Sequence, residues 1–380
     1  MTIHLFEGFF GPDYRPQAPT LFPTANPTGQ LFNVTEDGWT FAYTTYYSNA
    51  TGYSGAYIGT QQGVPKGNKL VFGLRFKNLI NQLHHITMMF LEVPQVSISY
   101  SSSSSIGLSA RSPLPAFWMK STTPSGANAG LTSAGLRAPN TNVGTTGANP
   151  TSIVSWNLEG YDTRTNEYCV EVEYDFQNNM INIWIDGFKI QEYAYVFTEA
   201  QKAIQVLYPV VESHTRHPQS GNSAGNSSYT LKHVHFADEV LGNVQAKRLA
   251  PTADFNVDSV YNTPAFSKFN TYNAGVTTTK TGKMVLDVAD VTDETILAFN
   301  LIGTFSKSHV SAYETISTEK LLISDGTTEN AGPANAVENS SRDFRMLEKN
   351  PITGSNWTQS QINQLKIGVD LTITDKFPRS

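Results

Sequence analysis

The sequence predicts an all-β protein: a large antiparallel sandwich followed by a smaller β-rich domain with one short helix near the C-terminus. Three observations carry that reading. Charged residues make up 15% of the 380-residue chain, against about 25% in an ordinary soluble domain, and aromatics reach 11% with Ser, Thr, Asn and Gly abundant between them. Short apolar runs, several with period-2 alternation, recur along the chain and end in Gly, Pro or Asn turns, the pattern of many strands joined by polar loops. The stretch 238–254 sets apolar Val240, Leu241, Val244 and Leu249 around the turn signal Gly242-Asn243 and ends on Pro251, so it reads as a join between a long aromatic-rich half and a shorter one.

Charge and composition exclude several classes. Lys plus Arg number 26 against 32 Asp plus Glu, a net charge of −6, and no basic run is present. A nucleic-acid partner is therefore not expected, since phosphate binding needs clustered Lys and Arg. The N-terminus lacks the basic flank and long apolar run of a secretory leader, and no stretch approaches the ~20 apolar residues of a membrane helix, so no membrane insertion is expected. The single cysteine, Cys169, cannot form an intramolecular disulfide and sits in an apolar strand pattern, where a buried, inert thiol is expected.

Residues 1–30 carry Pro12, Pro16, Pro19, Pro23 and Pro27 among Phe and Tyr, too many prolines for a helix or central strand, and read as an extended arm packing on its own domain or on a neighbouring subunit. Residues 31–237 read as the sandwich. Strands are expected within 39–58, at 70–76, 86–93 and 96–100, followed by five serines at 101–105 that suit a hairpin tip. Residues 120–152 read as one long polar loop. Tyr168, Val170, Val172, Tyr174 and Phe176 then alternate with Glu171, Glu173 and Asp175, a strand with one wet face. Gln177-Asn178-Asn179 turns the chain into 180–185, and Asp186-Gly187 is a type I′ hairpin signal. Thr198 caps a short helix or turn, and strands at 206–211 and 229–236 close the half, with a polar loop at 213–228 between them. Beyond the connecting segment 238–254, residues 255–380 supply further strands and, from Thr358 and Gln361, a capping box opening a short helix with Ile362 and Leu365 inward.

The strand, Asn-rich turn and Ile181-Asn182-Ile183-Trp184-Ile185-Asp186-Gly187 hairpin resemble the paired strands of concanavalin-like jelly rolls, the two-sheet sandwich of lectins, laminin G modules and some glycanases. That resemblance implies a jelly-roll fold, with Asp186 structural. A second resemblance rests on a set of elements in order: Leu241 through Thr252, the alternating strand at 295–305, and the closing Asn350-Pro351, Thr353-Gly354 and Trp357 followed by Ile362, Leu365, Gly368 and Val369. As a set these resemble tailed-bacteriophage virion proteins. The likeness implies a structural component of a virion (tail, fibre, baseplate or head decoration), made in the host cytoplasm and located in the particle. Its partners would be other virion structural proteins and copies of itself, a homo-oligomer with a trimer among the forms. It implies no enzyme, no catalytic residue and no cofactor.

Two other readings stay open. A host-receptor binder would stack surface glycans on aromatics such as Trp39, Tyr46, Tyr47 and Tyr53. A glycanase needs two carboxylates in a cleft, and Glu171 and Glu173 have the spacing without the expected aromatic or Met between them. Metal binding is not expected: His233 and His235 read as solvent-facing histidines unless three chains meet on an axis, Glu212, His214 and His217 read as part of a polar loop, and Asp287, Asp290 and Asp293 read as a solvated turn.

Overall fold

In the computed structural model the described residues are 1–8, 21–24, 31–35, 38–43, 53–60, 63–80, 84–92, 112–122, 130–139, 152–163, 166–216, 227–246, 249, 278–288, 290–292, 295–306, 314–337 and 340–376. The chain divides into two compact units, Met1–Lys247 and Arg248–Ser380. Among the described residues, no helix is long and apolar enough to cross a membrane.

The first unit begins with β1 (Ile3–Gly8), β2 (Leu21–Thr24), β3 (Leu31–Thr35), β4 (Gly38–Tyr43), β5 (Tyr53–Thr60), β6 (Val64–Pro65), β7 (Lys69–Ile80) and β8 (His84–Leu91). It continues with β9 (Ala116–Thr122), β10 (Gly130–Arg137), β11 (Ser152–Tyr161), β12 (Tyr168–Asp175), β13 (Met180–Ile185) and β14 (Phe188–Ala194), then α1 (Glu199–Ala203), β15 (Val206–Arg216) and β16 (Ser227–Ala237). Sheet A has the order β14-β13-β12-β7-β16-β4-β3, with β1 also on β16; sheet B has the order β11-β10-β9-β8-β15-β5-β2, with β6 on β15. All of the pairings are antiparallel, and most neighbours are distant in sequence, as in a jelly-roll sandwich.

Alternation fixes which side chains lie between the sheets. Leu70, Phe72, Leu74 and Phe76 of β7 and Val170, Val172 and Tyr174 of β12 meet Ile86, Met88 and Phe90 of β8 and Phe117 and Met119 of β9. At the centre the Phe72 ring lies 4.5 Å from Phe236 and 5.5 Å from Phe90, and Phe90 meets Tyr174 edge-on at 5.4 Å, an arrangement that aromatic quadrupoles favour. Tyr174 reaches across the sandwich and donates its hydroxyl to the carbonyl of Pro115 at 2.7 Å, so its one polar atom is satisfied inside the core. Thr198 caps α1 with a complete capping box to Gln201.

The second unit contains β17 (Thr278–Asp287), β18 (Phe299–Ser306), β19 (Glu314–Ser324), β20 (Glu329–Ala331), β21 (Asn335–Ala336), β22 (Ser340–Leu347), α2 (Gln359–Asn363) and β23 (Lys366–Lys376). One sheet runs β17-β23-β19-β20 with β21 on β19, and β18 pairs with β22. The Thr358–Gln361 capping box opens α2 as the sequence predicts, and Ile362 and Leu365 are buried beside Trp357 and Phe299. Trp357 donates Nε1 to the carbonyl of Leu347 at 2.7 Å. Asn363 holds Val291 at both its N–H and its carbonyl.

Four expectations are corrected. Residues 3–8 are a strand on β16, and 21–24 a strand on β5, so the described part of the N-terminal segment belongs to the sandwich. Residues 130–137 are a strand and not part of a long loop: a bulge between Leu131 and Ser133 breaks the alternation that would have revealed β10. The second face of β12 is not wet, since Glu171, Glu173 and Asp175 are 0%, 6% and 3% exposed. The strand β15 runs on through Arg216, so Glu212 and His214 are strand residues. The serine run at 101–105 lies outside the described residues.

Replacing Phe72 by Ala is expected to cost about 3–5 kcal/mol, the range for a large core aromatic, whereas Phe188→Ala, at a 76% exposed side chain, is expected to stay within about 0.5 kcal/mol. Urea unfolding of the full chain, followed through the transition of the first unit, measures both.

Candidate functional site

On β8 the inward Ile86, Met88 and Phe90 leave Thr87, Met89 and Leu91 on the outer face of sheet B. Met89 and Leu91 join Ala116, Val210 and partly buried Tyr208 in a small cluster of their own. One register row crosses the whole sheet on this face: Ser155, Gly135, Trp118, Thr87, Glu212, Tyr57 and Thr24 are successive partners. Two residues further along these strands, Ser133, Lys120, His85 and His214 are successive backbone partners.

Trp118 is half-buried and packs against its neighbour strand at Gly135. A Cβ added at Gly135 would stand 2.9 Å from both Cε2 and Cζ2 of the indole and 2.3 Å from the carbonyl oxygen of Val154, so only glycine lets the ring settle there. The guanidinium of Arg137 stands over the same indole, 6.0 Å from its centre, at the edge of cation–π range. Beside it, Thr87 is fully buried and its Oγ1 has no hydrogen-bond partner among the described residues. The face thus offers a partly exposed aromatic plate with a cation beside it. That combination suits a ring with an apolar face and polar substituents.

The outer face of sheet A is polar as well, but closed. Gly73 lies between His235 and Glu171 in register, and a Cβ there would stand 1.9 Å from His235 Cε1. The imidazole therefore occupies the space that the missing side chain vacates. His235 Nε2 meets Glu171 Oε1 at 3.0 Å, and the same carboxylate accepts the N–H groups of Leu241 at 2.7 Å and Gly242 at 2.9 Å. Arg75 donates to Glu167 Oε2 at 2.9 Å, to Asn243 Oδ1 at 2.6 Å and to the carbonyl of Val244. Residues 241–244 are thus held against this face. At Glu167 burial opposes the charge, but the hydrogen bond from Arg75 and the charge of Lys232 prevail and hold the carboxyl below its ordinary range. Glu173 accepts from Lys69 Nζ at 2.8 Å, Trp184 Nε1 at 3.2 Å and Asn182 Nδ2 at 3.3 Å.

These contacts settle the sequence-derived candidates one by one. Glu171 and Glu173 share a face of β12, yet both are buried and occupied by protein donors, so this pair does not flank an open cleft. His233 and His235 are fully buried, which corrects the expectation of solvent-facing imidazoles. Asp186 accepts the N–H of Cys169 at 2.8 Å and adopts φ 50 in the hairpin turn, a structural role. Of the aromatics proposed for glycans, Trp39 lies in β4 of sheet A and Tyr53 opens β5 of sheet B, so the described pair is split between sheets; Tyr46 and Tyr47 lie outside the described residues. Trp118, Thr87 and Arg137 were missed. The usable signal was Trp118 in the alternating run 116–120 beside a Gly-containing stretch.

No family model matches the chain, and no curated protein matches it. Solved structures do. The carbohydrate recognition domain of Emp47p is 12% identical with a TM-score of 0.43, covering 62% of this chain and 95% of that one. The Bacillus licheniformis beta-glucanase is 11% identical with a TM-score of 0.37, covering 62% and 98%. A prokaryotic beta-1,3-1,4-glucanase (lichenase) derived from a mouse hindgut metagenome is 12% identical with a TM-score of 0.40, covering 63% and 100%. The antiparallel sandwich itself is read from this chain's own strand order. The named structures are carbohydrate-recognition and glucanase domains, and nothing in them shows a virion protein. The expectation that the chain is not an enzyme is corrected by the same finding: glucanases are among the neighbours, and a sandwich of this kind accepts different chemistries on its faces.

Glu171→Ala would strand two backbone N–H groups and a buried imidazole, with an expected loss of about 3–5 kcal/mol. Faster amide exchange at Leu241 and Gly242, together with a lower urea midpoint, is the expected signature.

Proposed function

We propose that the first unit binds glycan on the outer face of sheet B, with Trp118 as the stacking platform. The observation that carries this is the partly exposed Trp118 indole on the outer face of sheet B, seated against Gly135 with the Arg137 guanidinium 6.0 Å from its centre. Aromatic plates bind sugar rings through their apolar C–H face, and convergent polar groups fix orientation. The ligand class is the one for which the carbohydrate-recognition and glucanase neighbours are named.

The particle setting carried by residues 241–252, 295–305 and 350–369 belongs to the same proposal: a phage virion component, in contact with other virion proteins and with copies of itself, that meets a host surface glycan. Mass spectrometry of purified particles, with and without the chain, tests that setting separately.

A glycan array with the full chain is expected to give a defined set of positives. Trp118→Ala should weaken the best of them at least tenfold, about 1.4 kcal/mol, whereas Trp39→Ala on the other sheet should leave it unchanged. Absence of binding by the wild-type chain across the array overturns the reading. Release of reducing ends from bound β-glucan, compared with Glu212→Gln, reads out whether the bound chain is also cut.

A further inference from the structure

On the outer face of sheet A, two adjacent register rows place His233, Arg75 and Cys169 in one line and His235, Gly73 and Glu171 in the next. We infer that Cys169, His233 and His235 together bind one zinc-class divalent cation, with Glu171 orienting His235. This inference is independent of the glycan reading, which concerns the other sheet.

The donor set is of the right kind and in the right place. One ligand atom from each of the three residues lies within 4.8 Å of the others, and Cys169 Sγ is 4.0 Å from His233 Nε2. A tetrahedral zinc ion, with Zn–S about 2.3 Å and Zn–N about 2.0 Å, wants S···N separations of about 3.5 Å, close to the 4.0 Å between Cys169 Sγ and His233 Nε2. Thiolate with imidazole selects zinc-class metals over the hard cations that carboxylates and carbonyls prefer.

An orphaned nitrogen distinguishes this cluster from an ordinary buried thiol beside two histidines. His233 and His235 are fully buried; among the described residues Nδ1 of His235 has no hydrogen-bond partner, while the His233 nitrogen that faces Cys169 is Nε2. An unmatched buried polar atom is costly to leave unsatisfied. At His235 the tautomer follows from its neighbour. Glu171 already accepts two backbone N–H groups, so as a carboxylate it takes the Nε2 proton as well and leaves the Nδ1 lone pair free, the carboxylate–histidine arrangement that supports metal ligands. A cation would displace the thiol proton on binding. The nearest positive group, Arg75, has its guanidinium drawn away to Glu167, Asn243 and Val244.

Such a cation would bridge β12 and β16 across β7 and secure the face on which residues 241–244 rest. The full chain, purified and then reconstituted with zinc, is expected to hold one equivalent by elemental analysis and to unfold at lower temperature after chelation. Because the chain has a single cysteine, zinc-edge X-ray absorption of the wild-type protein decides the question without any variant. A shell with one sulfur at about 2.3 Å and nitrogens at about 2.0 Å supports the site; a shell of nitrogen and oxygen alone, or no bound zinc, overturns it. With cobalt(II) as probe, a thiolate charge-transfer band should appear in the wild type and vanish in Cys169→Ser. Cobalt uptake that Cys169→Ser leaves unchanged would place the metal elsewhere and overturn the assignment.

Discussion

The first unit depends on burying both faces of sheet A at once. Its inner face is a conventional aromatic and aliphatic core, but its outer face carries Arg75, Cys169, Glu171, Glu173, Asp175, His233 and His235, and a charged group taken out of water is tolerable only when it is paired and fully hydrogen-bonded. Glu171 answers that demand most directly. One carboxylate collects two amides from the segment after β16 and an imidazole from β16 itself, so residues far apart in sequence are fixed by a single group. Gly73 makes the meeting geometrically possible, because any larger residue would occupy the position of the His235 ring.

Sheet B solves the opposite problem. Its outer face keeps an apolar strip of Met89, Leu91, Ala116 and Val210 under cover and leaves Trp118, Lys120, Arg137 and Tyr208 partly exposed. The two outer faces of the sandwich therefore differ in kind: one is covered by residues 241–244 and holds its charges in internal pairs, the other leaves an aromatic plate partly exposed. A sugar ring arriving from solvent suits the partly exposed face.

How much of this was legible in the sequence follows from the range of each interaction. The β12–β13–β14 meander was readable because alternation and an Asp186-Gly187 turn are local signals, and the capping box at Thr358 was readable for the same reason. The strand β10 was hidden by a bulge that shifts its apolar residues off period. That Glu171 and Glu173 are buried was invisible, since their partners Leu241, Gly242 and Lys69 lie 70, 71 and 104 residues away. The Trp118 platform was missed because its seat, Gly135, belongs to a different strand and reads in isolation as loop composition. His233 and His235 look like an exposed pair on any strand with one wet face; the ring that packs on both, Phe6, belongs to the first strand of the chain.

The segment after β16 also fixes where the first body ends. The hydrophobic pattern stops with β16 at Ala237, yet Leu241, Gly242, Asn243 and Val244 supply acceptors and donors to Glu171 and Arg75. A recombinant fragment trimmed at the last strand would lose its own lid and open an ionised interior to solvent, while one carried through Lys247 keeps it. For this chain the end of secondary structure and the end of the cooperative folding unit are different residues.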